Sequence, residues 1–323
     1  MNLAVVSKFF KRWFRLVVVI FLVVGIFGVL SKRDAPRSEE IPPIVTRVPT
    51  TGKAFEYRGD GIDLLSELAI YKFDPSTETI SLTKARVVAA HLGFTEEPQT
   101  VEDVVEGTAY IWSEGGRSWS VLPQSGRISY ADQFGAGGVV FLPTVQETAR
   151  SFLERAGLFG GLELNKDRVR YLVNQTGRYV VVEDSGEAEA VEVFFRYRLG
   201  DQPLFEEVPA VDSVSVIVGG GRVLKLEGWL FDDALLTSEG EIRLKSFDQV
   251  VEDLQSGQAG VLALDSETKE FSRAVFTRAE LGYLRKMEEG LVMPVVVFYG
   301  EAQLSDGAAA GIVAAVSAVK SAH

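Results

Sequence analysis

The sequence predicts an α+β protein with an N-terminal transmembrane helix and two tandem units. In each unit a helix packs on an antiparallel meander, and the second unit is enlarged. Three observations predict this class: an apolar run near the N-terminus, a helix-like segment that recurs 64 residues later, and short strand-like segments separated by glycine turns after each copy. The chain has 323 residues, 46 % hydrophobic and 24 % charged, which is typical of about two folded domains.

The first element is the apolar run from Leu16 to Leu30, which contains no charged side chain. At a rise of about 1.5 Å per residue its fifteen residues span roughly 22 Å, less than the roughly 30 Å of a bilayer core. Aromatic and basic flanking residues extend this span to the headgroups. A cleaved signal peptide and a buried core helix are the competing interpretations, but the sequence after Leu30 lacks a small-x-small cleavage pattern. The predicted anchor residues are Trp13, Phe14, Arg15, Leu16, Ile20, Val24, Leu30 and Lys32.

Charge divides the chain into two unlike parts. Residues 1–37 carry a net charge of +6, and the remaining residues carry −18, the difference from the total of −12. Four basic residues precede the apolar run and three follow it, a small bias toward a cytoplasmic N-terminus. We therefore expect a single-pass protein of the cell membrane whose bulk is extracytoplasmic. The predicted division is a tail and anchor at 1–33, a proline-rich linker at 34–51, a first module at 52–142 and a second, larger module at 143–323.

The internal repeat predicts two helices. Residues 85–94, ARVVAAHLGF, match residues 149–158, ARSFLERAGL, and each copy has apolar residues at helical spacing and a glycine near its end. Thr144 and Glu147 have the spacing of a capping box before the second copy. After each helix come segments rich in Tyr, Val, Ile and Trp, separated by Gly-Arg and Ser-Gly pairs, which predict an antiparallel meander.

Further elements enlarge the second unit. Apolar and polar side chains alternate in residues 190–199, which predicts a strand. Residues 213–218 and 222–231 lie on either side of three glycines and predict the two strands of a hairpin. Ser246 and Gln249 predict the start of a third helix. Two ambiguous segments complete the C-terminal part. Residues 275–286 fit helix or strand, with strand preferred, and residues 307–319 fit either.

One stretch resembles a known family. The order of helix, glycine and meander resembles the PepSY-type module, and residues 193–231 resemble the extracytoplasmic regulators of the YycI and YycH type. In those proteins an aromatic strand ends at a turn similar to Gly200–Phe205, and a strand similar to Met293–Phe298 closes the domain. The resemblance covers residues 80–305. It implies a membrane-tethered module that binds a partner protein, such as a sensor kinase or a protease, and that has no catalysis of its own.

Composition excludes several kinds of site. The chain has no cysteine and only two histidines, which leaves no thiolate chemistry and no usual set for catalytic zinc. The acidic body would repel a phosphate backbone, so we exclude nucleic acid as a partner. His91 is interpreted as structural or surface, and the glycines before Arg222 lack the spacing of a phosphate-binding loop. We predict no catalytic residue, no metal site and no small-molecule cofactor.

Two groups of side chains remain as candidates for function. The adjacent carboxylates at 206–207 and 232–233 would suit acid/base hydrolysis, but neighbours on a strand point to opposite faces. Aromatic side chains on neighbouring predicted strands would form a partner-binding groove if they face outward, and core packing is the alternative. The candidates are Phe195, Tyr197, Trp229 and Phe231.

The sequence therefore predicts a membrane-anchored, non-catalytic regulatory module of the cell envelope that contacts the lipid bilayer and binds a partner protein or peptide. The alternatives are an anchored cell-wall hydrolase that uses carboxylates and an inhibitor of an exported protease.

Overall fold

Seventeen strands and three short α-helices form the described part of the fold. The computed structural model describes residues 52–103, 107–133, 138, 141–175, 178–182, 184–207, 211–265 and 270–320. Of these residues 54 % lie in strands. The strands pair into two large arrays, and one strand joins the arrays to each other.

The first array is a nine-stranded antiparallel sheet. Its strands, in chain order, are β3 (Gln99–Asp103), β4 (Gly107–Glu114), β5 (Arg117–Leu122), β6 (Arg127–Asp132), β7 (Leu162–Gln175), β8 (Arg178–Val182), β9 (Ala190–Leu199), β11 (Val214–Gly219) and β12 (Arg222–Trp229). Their pairings give the spatial order β3-β4-β5-β6-β12-β11-β9-β7-β8. The β11–β12 hairpin therefore lies in the middle of the sheet, where strand edges from two separate parts of the chain meet it.

The second array is centred on a long antiparallel hairpin. Its strands are β1 (Ala54–Tyr57), β2 (Glu67–Lys72), β10 (Gln202–Glu206), β13 (Thr237–Arg243), β14 (Gly260–Leu264), β15 (Phe271–Lys286), β16 (Leu291–Leu304) and β17 (Ala309–Ser317). Strand β16 pairs with β17 and, at its start, with β2, while β1 and β10 both run parallel to β15. Strands β13 and β14 extend the sheet beyond β2 and β17.

Strand β10 connects the two arrays. It turns back from β9 with Gln202 opposite Leu199, and then runs parallel to β15 with Glu206 opposite Arg285. The main hydrophobic core follows the same path, because it combines first-array side chains with Leu204 and Tyr283 from the second array. The joint between the arrays is therefore buried.

The helices cover the sheets through narrow apolar faces. Helix α1 (Leu82–His91) is capped by Ser81, α2 (Leu142–Ala156) buries four apolar side chains, and α3 (Phe247–Gln255) is capped by Ser246. Helix α2 contacts β9, β11 and β12 as well as α1, and α3 contacts β1 and β17. Helix α2 ends at Gly157, whose φ of 72° suits the left-handed terminus that glycine tolerates.

A buried ion pair fixes the joint at β10. Arg285 Nε lies 2.8 Å from Glu206 Oε2, and the two side chains are 4 % and 2 % exposed. Arg285 Nη1 also donates to the carbonyl oxygen of Leu230 at 3.1 Å. Burial raises the pKa of Glu206, and the charge of Arg285 opposes that rise. The two charges compensate each other in a place where either one alone would be costly.

The predicted fold class is wrong. The part of the chain that the structure describes is mainly β, with a seventeen-strand mixed sheet and only three short helices, and is not an α+β arrangement of two helix-plus-meander units. The first meander is present as β3-β4-β5-β6, but the second set has the order β8-β7-β9, with the middle strand of the sequence on the outside. Hydrogen bonding of both sets to one central hairpin decides the architecture, and local periodicity does not contain that pairing.

Several individual elements are confirmed. Both repeat copies are helical, the capping box of Ser246 and Gln249 is present, and residues 271–286 form a strand. The segment at 307–319, for which the sequence allows helix or strand, contains strand β17. The capping box at Thr144 is wrong, because α2 begins two residues earlier and accommodates Pro143 in its first turn, where the missing amide costs little. The division into modules at 52–142 and 143–323 stays a prediction.

The predicted single-pass localisation at the cell membrane is also corrected. In the described ranges no helix is both long and apolar enough to cross a bilayer. The mainly β architecture likewise contradicts the PepSY-like description. The predicted anchor and linker, which include all residues from Trp13 to Lys32, lie outside the described residues. Membrane attachment has no part in the proposals below.

Breaking the buried pair on one side is expected to be costly. Glu206→Gln leaves the Arg285 guanidinium buried without its counter-ion, so the free energy of unfolding should fall by about 3 kcal/mol. The double change Glu206→Leu with Arg285→Met should lose less than the single change, because no unpaired charge remains. Urea unfolding of the full-length protein measures both. Glu239→Gln, in an exposed pair with Lys72 at 2.9 Å, is the control, with an expected change below about 0.5 kcal/mol. A double variant less stable than Glu206→Gln would contradict this account.

Close packing of β10 on β15 gives a second test. A Cβ added at Gly282 would lie 2.6 Å from the carbonyl oxygen of Pro203 and 2.5 Å from the Phe205 ring. Gly282→Ala should therefore destabilise the protein by about 1–3 kcal/mol through overpacking. A Cβ at Gly160 meets nothing within 4 Å, so Gly160→Ala is the matched control. Equal urea midpoints for the two variants would show that β10 does not pack there as described.

Candidate functional site

A basic cleft opens at one end of the nine-stranded sheet. It has a volume of about 410 Å³ and lies between the last turn of α1, the outer side of α2 and the ends of β5, β6 and β12. The lining residues are His91, Leu92, Arg117, Tyr130, Asp132, Thr148, Phe152, Arg155, Gly221, Arg222 and Val223. Three arginines face one carboxylate, so the lining is net positive on a body that is strongly acidic.

Strand pairing brings the cleft residues to the same end of the sheet. Arg117 begins β5 and lies directly opposite Asp132, which ends β6. Arg222 begins β12, which pairs antiparallel with β6, so it starts just beyond the same edge. The turn at Gly220 and Gly221, both with positive φ, makes this position possible. Residues more than 100 positions apart in the sequence therefore meet in the cleft.

Arg117 connects the cleft to the fold. Its Nη1 donates to the carbonyl oxygen of Leu92 at 3.0 Å, and its Nη2 donates to that of Gly93 at 3.2 Å. The guanidinium also lies 5.3 Å from the centre of the Phe94 ring. These contacts satisfy the carbonyls at the end of α1, where a cation is favourable for the helix dipole. Arg117 is thus held in place largely by backbone oxygens.

Arg155 and Arg222 are held more loosely. Arg155 is exposed, and its Nε donates to the carbonyl oxygen of Ser151 one turn earlier at 3.3 Å. Arg222 is 56 % exposed and lies 3.8 Å from the Asp132 carboxylate. His91 is exposed beside them. A guanidinium in this state keeps planar donors available to an arriving carboxylate or phosphate.

Tyr130 supplies a protonated hydroxyl at the base of the cleft. Its ring is 5 % exposed and packs against Phe152 with centroids 5.1 Å apart. Burial and the nearby Asp132 carboxylate raise the pKa of Tyr130, while Arg117 and Arg222 act against that rise. The phenol therefore stays neutral at physiological pH and adds an uncharged polar group to the basic lining.

A second, open groove of about 660 Å³ lies along α2. The residues that line it, all from this helix, are Pro143, Thr144, Glu147, Thr148, Ser151 and Arg155. Thr148 and Arg155 also line the cleft, so the two spaces adjoin each other. Glu147 is exposed, and its Oε1 accepts a hydrogen bond from Ser151 Oγ at 3.3 Å. The groove thus has a basic end at the cleft and an acidic position further toward the start of the helix.

The aromatic residues predicted as a partner-binding groove lie mainly in the core. Phe195 is fully buried and packs edge-on against Phe159. Tyr197 is 5 % exposed, packs against the Phe231 ring at a tilt of 49° with centroids 5.7 Å apart, and has its pKa raised to about 12 by burial. Trp229 and Phe231 are half-buried. The four side chains thus do not line a common outward groove, and their role in partner binding stays a prediction.

The adjacent carboxylates also lie apart from the cleft. Glu206 is paired with Arg285 in the core, and the Asp232 carboxylate accepts from the amide of Ala234 at the start of a short 3₁₀ helix at Asp233–Leu235. Among the described residues no group of three or more His, Asp or Glu side chains is arranged to hold a metal ion. Both carboxylates named here therefore have structural partners.

Sequence reasoning missed the cleft because its members looked unrelated. Arg117 belongs to a predicted turn, Arg222 follows a glycine run that lacks the spacing of a phosphate loop, and His91 fits a structural or surface role. The Gly-Arg dipeptide gives no signal either, because an arginine after glycine starts four strands, at positions 117, 127, 178 and 222. Only strand pairing shows that the strand starts at 117 and 222 share one edge.

No model of a known protein family matches the sequence, and no curated protein gives a significant match. The resemblance to regulators of the YycI and YycH type therefore stays a prediction.

The two kinds of cleft arginine should differ in their effect on stability. Arg117→Met removes two charge-assisted hydrogen bonds to the end of α1, so the free energy of unfolding should fall by about 1.5–3 kcal/mol. Arg155→Met should change it by less than about 0.5 kcal/mol, because Arg155 is exposed. Guanidinium-induced unfolding measures both variants. If Arg117→Met has the same guanidinium midpoint as the wild-type protein, the hydrogen bonds to those carbonyls do not stabilise the fold.

Proposed function

We propose that this protein is a non-catalytic interaction module that binds an acidic segment of a partner protein in the basic cleft. The single observation that carries the proposal is the convergence of Arg117, Arg155 and Arg222 on one open cleft. Carboxylates are the protein groups that guanidinium pairs recognise, and planar bidentate contacts give such recognition its geometry.

Charge complementarity supports an acidic partner at this place. The chain outside residues 1–37 carries a net charge of −18, so an acidic segment is repelled by most of the surface. A net-positive cleft on such a body is therefore the place that an acidic segment approaches most favourably. The charge difference between the cleft and its surroundings affects the orientation of the bound segment and its rate of association more than its affinity.

The openness of the cleft supports a protein segment over a small molecule. Small-molecule sites usually bury most of the ligand surface, whereas this cleft is bordered by the exposed side chains of His91, Arg155 and Arg222 and adjoins the α2 groove. An extended segment would lie along both spaces and leave one side in solvent. Binding of this kind is expected to be weak and sensitive to salt.

The hydrolase alternative has less support. Glu206 is buried with Arg285, and Asp232 caps a 3₁₀ helix. Acid/base hydrolysis needs two carboxyl groups that flank a substrate bond. Neither of these carboxylates lines the cleft.

A labelled peptide tests the proposal. The probe is a twelve-residue Gly/Ser peptide with two adjacent aspartates, compared with the same peptide carrying asparagines, and anisotropy with the full-length protein at low salt gives the affinity. We expect the aspartate peptide alone to bind, and the double variant Arg155→Met with Arg222→Met to bind about tenfold more weakly, since two exposed charge contacts are each worth up to about 1 kcal/mol.

Arg243→Met is the matched control, because Arg243 has an 83 % exposed side chain on β13 and does not line the cleft. It should change the affinity less than twofold. The single variants Arg155→Met and Arg222→Met are measured beside the control. If the control lowers the affinity for the peptide as much as either of them, the binding is due to long-range charge alone. If the wild-type protein does not bind the peptide, the proposal is rejected. Inorganic phosphate is added as a competitor, and displacement of the peptide at low millimolar phosphate would indicate a small-anion site instead.

A further inference from the structure

The groove beside the cleft has a charge of the opposite sign at a fixed spacing. Glu147 and Arg155 are eight residues apart on α2 and line the same groove. At about 1.5 Å per residue their positions are separated by roughly 12 Å along the helix axis. An extended chain advances about 3.3 Å per residue, so roughly four ligand residues cover that distance.

We propose that the cleft and the α2 groove together select a dipolar segment, in which an acidic residue is separated by about four positions from a basic residue. The inference rests on the proposed function and names the class of segment that the site takes. The acidic residue lies in the cleft against Arg155 and Arg222, and the basic residue lies against the Glu147 carboxylate.

Glu147 is suited to this role by its position and state. Its side chain is exposed, and the hydrogen bond from Ser151 Oγ to Oε1 is long at 3.3 Å, so the carboxylate is accessible to a ligand in the groove. Its neighbours in the groove, Thr144 and Thr148, are uncharged. The carboxylate is therefore the charge that a ligand meets after it leaves the cleft.

The Glu147 carboxylate disfavours a ligand that consists of acidic residues alone. A run of aspartates or glutamates longer than about four residues places a negative charge next to Glu147, and like charges at short range are unfavourable. A basic residue at that position gains an ion pair of the exposed type. The site thus discriminates by repulsion of one class of segment as well as attraction of the other, which is how specific interfaces commonly work.

The experiment uses a graded set of labelled twelve-residue Gly/Ser peptides. All carry the aspartate pair, and the fourth residue from it is Ser, Lys or Glu, on the N-terminal side in one set and on the C-terminal side in another. With the wild-type protein we expect, in one of the two directions, the Lys peptide to bind about threefold more tightly than the Ser peptide, and the Glu peptide about threefold more weakly.

Variants at Glu147 separate the inference from the proposed function. Glu147→Gln should abolish the difference among the three peptides while it leaves the Ser peptide bound, and Glu147→Lys should reverse their order. Glu154→Gln is the control, because Glu154 is exposed on the same helix and does not line the groove, and it should leave the order unchanged. Equal binding of the Ser, Lys and Glu peptides in both directions would overturn the dipolar inference and leave the acidic-segment function standing. If no aspartate peptide binds, both fail.

Discussion

The fold depends on the crossing of β10 from one sheet to the other. This strand leaves β9 through a tight turn and enters a parallel ladder with β15, so its backbone groups are satisfied on both sides of the joint. The Glu206–Arg285 pair lies at the end of that ladder, nearly free of solvent. A buried ion pair contributes little net stability compared with apolar packing, but it penalises any register that leaves one charge alone. The pair therefore favours the observed register of β10 on β15, in which Glu206 lies opposite Arg285.

Sequence patterns predicted individual elements well and their assembly poorly. The helices, and the hairpin around residues 219–221, have local signals in the sequence, namely apolar residues at helical spacing, the Ser246–Gln249 capping box and a run of glycines. Strand partners have no comparable signal, because β8 carries the same alternation whether it lies between β7 and β9 or outside them. Strand-like segments separated by turn residues predict a meander for the second set, and the hydrogen bonds give a different order. Contacts across long sequence distances were the part that periodicity does not encode.

The arginines of the joint and of the cleft make two kinds of contact. Those at the joint between the sheets pair with carboxylates, whereas two of those in the cleft donate to backbone carbonyls. Where the sheets meet, arginines face carboxylates at short range, as in the paired contacts of Arg196 with Glu280 at 2.9 and 3.0 Å and the contact of Arg278 with Asp167 at 2.6 Å. In the cleft, Arg117 and Arg155 donate to backbone carbonyls instead. A carbonyl oxygen orients a guanidinium without neutralising its charge. The positive potential of the cleft therefore persists on an acidic body, and charge counts over the whole sequence conceal it.

Arg117 makes the cleft a direct product of the fold. Its guanidinium donates to the carbonyl oxygens of Leu92 and Gly93, the two residues that follow α1, and His91, the last residue of that helix, lines the same cleft. Arg117 also lies opposite Asp132 in the β5–β6 ladder. One residue therefore belongs to the sheet and contacts the end of the helix. Loss of its charge would alter the shape of the cleft together with its potential. Arg155 and Arg222 have no such double attachment to a helix end, which is why their contributions to recognition are separable from folding whereas that of Arg117 is not.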